Sequence, residues 1–303
     1  MRQRKGFEMT NEHAIPACRL CVLLARDCAR GVVLRRGPSD WVQLMLWHTD
    51  TDTFEPGQWF HGRIYETLSD LSPNGELFLY LARKAQTPER ERSEYTYKWT
   101  AISRPPYVTA LALWPAGDSW DGGGYFVDDN TAWLCHASAR AHTDHRSQGL
   151  RVLNTYEPQR LVQRSLRDGW KHVQEGRFSL DRSSGKGGLR GLGIRGATEQ
   201  PDIWQKHQPG GRYLLVSEIY REPDFHYAPH TYLADAEEPN TPHTLISGMT
   251  WLDWDARGRL VFAREGRLYA GEVPFDPGKA RMLADFNAHT PEPIEAPFWA
   301  RQW

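Results

Sequence analysis

The sequence predicts an all-β fold: a single β-propeller of five blades, with six as the alternative, preceded by an irregular N-terminal segment. Three observations carry that expectation. A Gly-centred turn recurs at Gly75, Gly117, Gly169, Gly211 and Gly258, at separations of about 42, 52, 42 and 47 residues, the length of a four-stranded blade. The 26 Gly and 20 Pro are spread along all 303 residues, which favours many turns over long helices. The chain also carries 13 Trp, residues that fill the space between packed sheets in all-β proteins and line sugar-binding grooves in others.

Taken in order, Met1 to Glu12 is polar and reads as a tail, extended here to residue 16, with Met9 as a second candidate start. Residues 17–303 then form the single propeller domain. Ala17 to Cys28 fits either a short helix or a first strand, because periodicity alone does not separate the two. Val32-Val33-Leu34 leads into a turn-rich break at Arg35 to Ser39. The run Trp41 to Trp47 has the residue types of a buried strand and is a natural partner for a late strand in closing the ring. Asp50, Asp52, Pro56 and Gly57 mark a loop, and Trp59 to Tyr65 a short strand.

The turn Ser72-Pro73-Asn74-Gly75 opens onto Glu76 to Tyr80, and Pro115-Ala116-Gly117-Asp118 precedes Gly124 to Val127. Pro158 to Arg167 holds a second candidate helix, a short one, with Leu161, Val162 and Leu166 roughly on one face. Arg167-Asp168-Gly169-Trp170 is the weakest copy of the turn, since a polar stretch follows it. Gln208-Pro209-Gly210-Gly211 precedes Arg212 to Val216. Asp253 to Gly258 precedes Arg259 to Ala263, and a second turn at Arg264 to Arg267 returns through Leu268-Tyr269-Ala270 as a hairpin.

Ser72-Pro73-Asn74-Gly75 before an apolar strand resembles the Ser-Pro-Asp-Gly turn of TolB-like and WD40-like propeller repeats, and Asp253 to Leu260 resembles it too. The likeness covers five patches, each a hairpin signature, and it implies the fold alone. The Trp-Asp dipeptide occurs only at Trp120-Asp121 and Trp254-Asp255, read here as turns rather than strand ends, so the looser propeller likeness is the one that stands. The whole chain looks like a bacterial protein, and the resemblance brings no activity with it.

Composition sets further bounds. Hydrophobic residues make up 40% and charged residues 25%, as in a globular protein with a core. A formal net charge of -1 supplies no field to recruit nucleic acid. No apolar run approaches the roughly 20 residues of a spanning helix, so no membrane partner is expected. Leu20 to Ala25 lacks the features of a signal peptide. The four cysteines form no disulfide framework, with three between Cys18 and Cys28 and one at Cys135. A cytoplasmic location is expected.

The candidate chemistry is sparse. Cys18-Arg19-Leu20-Cys21 has the spacing of half a zinc site, but no second pair completes it, and free thiols are the expectation. Cys135-His136, His142, Asp144 and His145 form the densest set of ligand types, read as a solvated polar loop. The pair His226 and His230 reads as surface. Gly191-Leu192-Gly193-Ile194-Arg195-Gly196 matches the dinucleotide fingerprint without the strand before and helix after that its chemistry needs. The acids Asp50, Asp52, Asp121, Asp128, Asp129, Asp253 and Asp255 sit near strand or turn ends, where a propeller could gather them in a central funnel, although Asp is itself a turn former. No Gly-x-Ser-x-Gly elbow occurs.

The expected function is therefore a non-enzymatic scaffold for protein–protein binding, with no cofactor and no metal. Its expected binding residues are Arg104, Tyr107, Trp120, Asp121, His142 and His145. The alternative is a carbohydrate-binding or glycoside-hydrolysing propeller with Trp and Asp in a central funnel, which leaves an enzymatic role open. Burial of Trp47, Trp114 and Trp254 between blades would remove the main support for the sugar reading.

Overall fold

A computed structural model describes residues 17–89, 94–116, 121–138, 140–157, 162–181, 195–221, 227–238 and 248–303. Its strands form a five-bladed β-propeller. Blade 1 is β1 (Arg19–Leu24), β2 (Arg30–Arg36), β3 (Trp41–His48) and β4 (Thr53–His61), and blade 2 is β5 (Arg63–Leu71), β6 (Phe78–Arg83), β7 (Lys98–Ser103) and β8 (Ala112–Pro115). Blade 3 has β9 (Gly124–Asp128), β10 (Thr131–Leu134) and β11 (Arg151–Asn154), with β11 parallel to β10. A short helix α1 (Val162–Arg167) leads into blade 4. That blade orders β12 (Trp170–Gln174), β15 (Asp202–His207), β16 (Tyr213–Arg221) and β17 (Tyr227–Asp235), with the hairpin β13 (Arg177–Asp181) and β14 (Arg195–Gln200) inserted. Blade 5 is β18 (Met249–Trp254), β19 (Leu260–Arg264), β20 (Arg267–Gly271) and β21 (Arg281–Asp285).

Because each blade is covered on both faces, its strands read as apolar runs rather than as alternations. In β1 the two-residue period still decides which neighbour is met. Leu20 and Val22 pack towards blade 5 with Val261, Ala263 and Leu268, whereas Leu23 packs towards blade 2 with Phe78 and Tyr80. Trp47, Trp114 and Trp133 are fully buried, and Trp254 nearly so. Each such side chain contributes about 1.5–3 kcal/mol of burial.

The recurring turns do more than reverse the chain. At one end of the ring they bond to their neighbours. Asp27 N donates to Pro73 O (3.0 Å), Asn74 N to Asp129 Oδ1 (2.8 Å), and Gln208 Nε2 to Gly258 O (2.7 Å). Between blades 3 and 4 the link runs through α1, whose Arg167 donates to Phe126 O and to Asp70. Between blades 5 and 1, Arg259 donates to both carboxylate oxygens of Asp52 at 2.9 Å, and Arg281 reaches the same carboxylate.

Several expectations are corrected here. Ala17 to Cys28 resolves as the strand β1. Arg35 and Arg36 belong to β2, and Pro56 and Gly57 lie inside β4, opposite the irregular register between Gln43 and Met45. Trp59 to Tyr65 is two strands parted at Gly62, because one blade ends there and the next begins. Asp253-Trp254-Asp255 places Trp254 at the end of β18 rather than in a turn. The Gly169 turn is the C-terminal cap of α1, with φ +87° and Gly169 N donating to Leu166 O. The five-blade expectation stands, but blade 1 turns at Asp27 and Cys28 without a glycine while blade 4 involves both Gly169 and Gly211. The Gly117 turn lies outside the described residues.

The ring does not close through the Trp41–Trp47 run. That run is β3, paired within its own blade to β2 and β4. Closure is face to face, β1 against blade 5, and the C-terminal segment straps the seam. Cys18 N donates to Asn287 Oδ1 (3.0 Å), Arg35 Nε to Phe286 O (3.2 Å), and Gln43 meets His289 (2.7 Å). Further on, Gln58 Nε2 donates to Ile294 O (3.0 Å) and Trp303 Nε1 to Leu111 O (3.2 Å). Among the described residues no helix is long and apolar enough to cross a membrane.

Candidate functional site

Among the described residues, two of the concavities bear on a candidate site. The larger, about 1380 Å³, is a groove between the outer strands of blades 1 and 2, edged by the strap at Pro291 to Glu295. Its walls are aromatic: Trp41 and His61 stack at 4.7 Å, Phe60 and Trp99 meet edge to face at 6.1 Å, and Trp59 and Tyr95 complete the lining. The outer strand β4 supplies Trp59, Phe60 and His61, while β7 and the segment after it supply Trp99 and Val108 to Ala110. The strap continues in sequence to exposed aromatic residues. Phe298 is 75% and Trp299 56% exposed, and Trp299 meets Tyr107 at 5.7 Å.

The predicted site residues divide accordingly. Arg104 and Tyr107 sit together beside those residues, Arg104 Nε donating to Gln302 O (3.1 Å). His145 lines the groove, in contact with Ala110 O (3.1 Å) and Tyr95 Oη (3.3 Å). His142 is buried and stacked on Tyr95 at 4.0 Å, so it supports the groove from behind rather than facing a partner. Asp121 is buried as well, accepting from Ala137 N (2.9 Å), and is no surface contact. Trp120 lies outside the described residues.

The solvated reading of the His-rich segment is corrected in part, since Asp144 is exposed and His145 half-buried but three other members are not. Cys135, His136 and His142 are all buried. The segment adds itself to the edge of blade 2, His142 N donating to Leu113 O (2.8 Å) and Leu113 N to His145 O (3.1 Å). His136 bonds Thr100 Oγ1 at 2.7 Å, and burial pushes its imidazole down to about 4 against the pull of Asp121. Among the described residues no group of three or more His, Cys, Asp and Glu is placed to hold a metal. Cys18 and Cys21 flank β1 on opposite faces, so they cannot grip one ion, and burial pushes the Cys21 thiol up to about 12. Gly191 to Ile194 lies outside the described residues, and a strand rather than a helix begins at Arg195. His226 also lies outside them, and His230 is exposed on β17.

The second concavity, about 820 Å³, lies on the propeller axis and is walled by β1, β5, α1, β12 and β18. Its charged lining is Arg26, Asp27, Glu66, Asp70, Arg164, Arg167, Asp168, Lys206, Asp253 and Asp255, with Trp170, Trp251 and Trp254 among the apolar residues. Of the seven acids expected near a funnel, only Asp253 and Asp255 reach it. Asp128 and Asp50 cap backbone N–H groups in their own turns, Asp129 accepts from Asn74 N of the neighbouring blade, and Asp52 locks blades 1 and 5.

Most of the axial charge is paired. Arg167 forks onto Asp70 at 2.6 and 2.9 Å and onto Asp168 at 2.7 Å. Burial alone would lower its pKa, but those two carboxylates raise it. Burial raises the Asp168 carboxyl despite the neighbouring Arg167. Arg164 lies 3.6 Å from Asp70, and Lys206 2.6 Å from Asp253. Sequence reading missed this cluster. Its only local trace was the polar, degenerate turn at Arg167 to Gly169.

No protein-family model matches the chain, and no curated protein is similar enough to count as a relative.

Proposed function

We propose that the chain is a non-enzymatic propeller scaffold that binds an extended segment of a partner protein in the groove between blades 1 and 2. One observation carries this reading: both chain segments that edge the aromatic groove, at Val108 and at Glu295, adjoin in sequence the exposed patch where Tyr107 meets Trp299. At about 1380 Å³ the groove exceeds the range of roughly 300–1,000 Å³ usual for small-molecule pockets. Aromatic-lined grooves suit extended, proline-bearing or apolar segments, whose backbone is already ordered before binding. Exposed aromatic side chains flanked by Arg are the usual anchors of such interfaces.

The sugar reading keeps one observation in its favour, the half-buried Trp41, Trp59 and Trp99 of the groove. Burial of Trp47, Trp114 and Trp254 removes its wider support. For hydrolysis the axial acids Asp70, Asp168 and Asp253 are held by Arg167 and Lys206, which works against a pair poised as acid and nucleophile.

Pull-down from the native host with the full chain, alongside Trp299→Ser and Trp99→Ala variants, tests the proposal. A protein recovered by the parent chain and lost with both variants, each verified as folded by its unfolding curve, supports it. Equal recovery by all three, or saturable quenching of groove tryptophans by oligosaccharides, overturns it.

A further inference from the structure

Among the described residues, one cation of the axial cavity makes no ion pair. Arg26 leaves β1 at the ring's bonded end and lines the cavity, yet its one hydrogen bond to them is a long one from Nη2 to Val127 O at 3.4 Å. Its Nε is sealed from solvent without a partner. The neighbouring Asp27 is exposed and makes no ion pair with it, and Arg167 is already committed to Asp70 and Asp168. Burial lowers the Arg26 pKa and the charge of Arg167 lowers it further, while Asp168, Asp70 and Asp27 pull it up from beyond ion-pair distance, so the guanidinium is forked onto none of them. Buried or half-buried guanidinium groups are normally forked onto an oxyanion, and one without it marks the place where an oxyanion from outside fits.

We propose that the axial cavity binds a small molecule through a single carboxylate or phosphate group held by Arg26. The cavity volume of about 820 Å³ fits a small organic ligand. Trp170 and Trp251, both half-buried in its wall, offer faces for the ligand's apolar or ring portion. The remaining acids in the wall sharpen selection. Asp70, Asp168 and Asp253 are neutralised by Arg167, Arg164 and Lys206, while Asp27 and Glu66 repel a second anionic group, so a ligand with one anionic group is preferred to one with several. The axial site shares none of its lining residues with the peripheral groove, so the two proposals stand or fall separately.

Calorimetric titration of the full chain with benzoate, phenyl phosphate and neutral benzamide tests the site, alongside Arg26→Gln and Arg26→Lys variants. The expected result is saturable one-to-one binding of benzoate or phenyl phosphate, with none for benzamide. The preferred anion distinguishes a carboxylate ligand from a phosphate one. Arg26→Gln weakens binding about tenfold or more while the urea unfolding curve stays in place. Should Arg26→Gln fail to fold, Arg26→Lys retains charge and stem but loses the fork, and weaker binding of the preferred anion by that variant supports the proposal. Binding unchanged in the folded variants, or no saturable binding to the parent chain up to about 10 mM of either anion, overturns it.

Discussion

Replacing Arg259 by Met tests how the ring is held shut. Arg259 is 4% exposed and sits in the β18–β19 turn. Its Nε donates to Asp255 at 2.7 Å, both Nη atoms donate to Asp52 at 2.9 Å, and Nη2 also reaches Thr49 O at 3.3 Å. Met fills a similar volume but leaves the buried carboxylates of Asp255 and Asp52 without this cation. Removing one partner from a buried pair costs about 3–5 kcal/mol. Arg281 remains on Asp52, and Asp255 keeps backbone donors at Arg257 and Arg259, so the lower end applies, about 3 kcal/mol. With a urea m-value of about 3 kcal/mol per M, the unfolding midpoint falls by about 1 M. Asp52→Asn and the double variant complete a cycle whose coupling exceeds about 1 kcal/mol. A loss below about 1 kcal/mol, or the same loss whether or not Asp52 is present, refutes the view that this cluster joins blade 5 to blade 1.

The same packing sets three further outcomes. Gly57→Ala would place a Cβ 2.0 Å from Pro106 O and 2.8 Å from Leu44 O, so the expected loss is about 3 kcal/mol in chemical denaturation. His136 has its pKa lowered to about 4, so its contribution to stability is complete above its unfolded pKa near 6.5 and is lost as pH falls from there towards 4. About 2–3 kcal/mol should disappear between pH 7 and pH 4.5, and His136→Gln should flatten that part of the profile. Arg167→Met frees α1 from Asp70 and Phe126 O, and faster amide exchange over residues 162–169, ahead of global unfolding, is the expected signature.

The propeller was legible where chemistry is local. Pro presets one dihedral and Gly supplies another at Ser72 to Gly75 and at Gln208 to Gly211, so these turns announce themselves. Blade 1 was harder to parse because its first turn, at Asp27 and Cys28, uses neither, and because Pro56 and Gly57 sit inside a strand, where they normally signal its end. His142 and Asp121 looked exposed because the residues around them are polar. Their burial arises from pairing with Leu113 and with the segment at Ala137, contacts no local window contains. The axial cluster was invisible for the same reason. Arg26, Asp70, Arg167 and Lys206 come from four different elements, and only closure of the ring makes them neighbours. Tryptophan content pointed two ways at once, and the fold divides it: Trp47 and Trp114 pack between blades while Trp41, Trp59 and Trp99 face the groove.

Among the described residues, every blade is built from one contiguous stretch of chain, with no strand lent from one end to the other. During synthesis, four complete blades can therefore stack before the fifth has left the ribosome. The growing molecule at that stage is an open arc with one bare apolar face on β1, where Leu20 and Val22 await Val261 and Leu268. Only when the residues from Phe286 through Trp303 emerge does the arc acquire its clasp across blades 1 and 2. A ring assembled this way is at its stickiest just before that clasp forms. The segment acts as the fastener of the ring, and its removal alters closure itself.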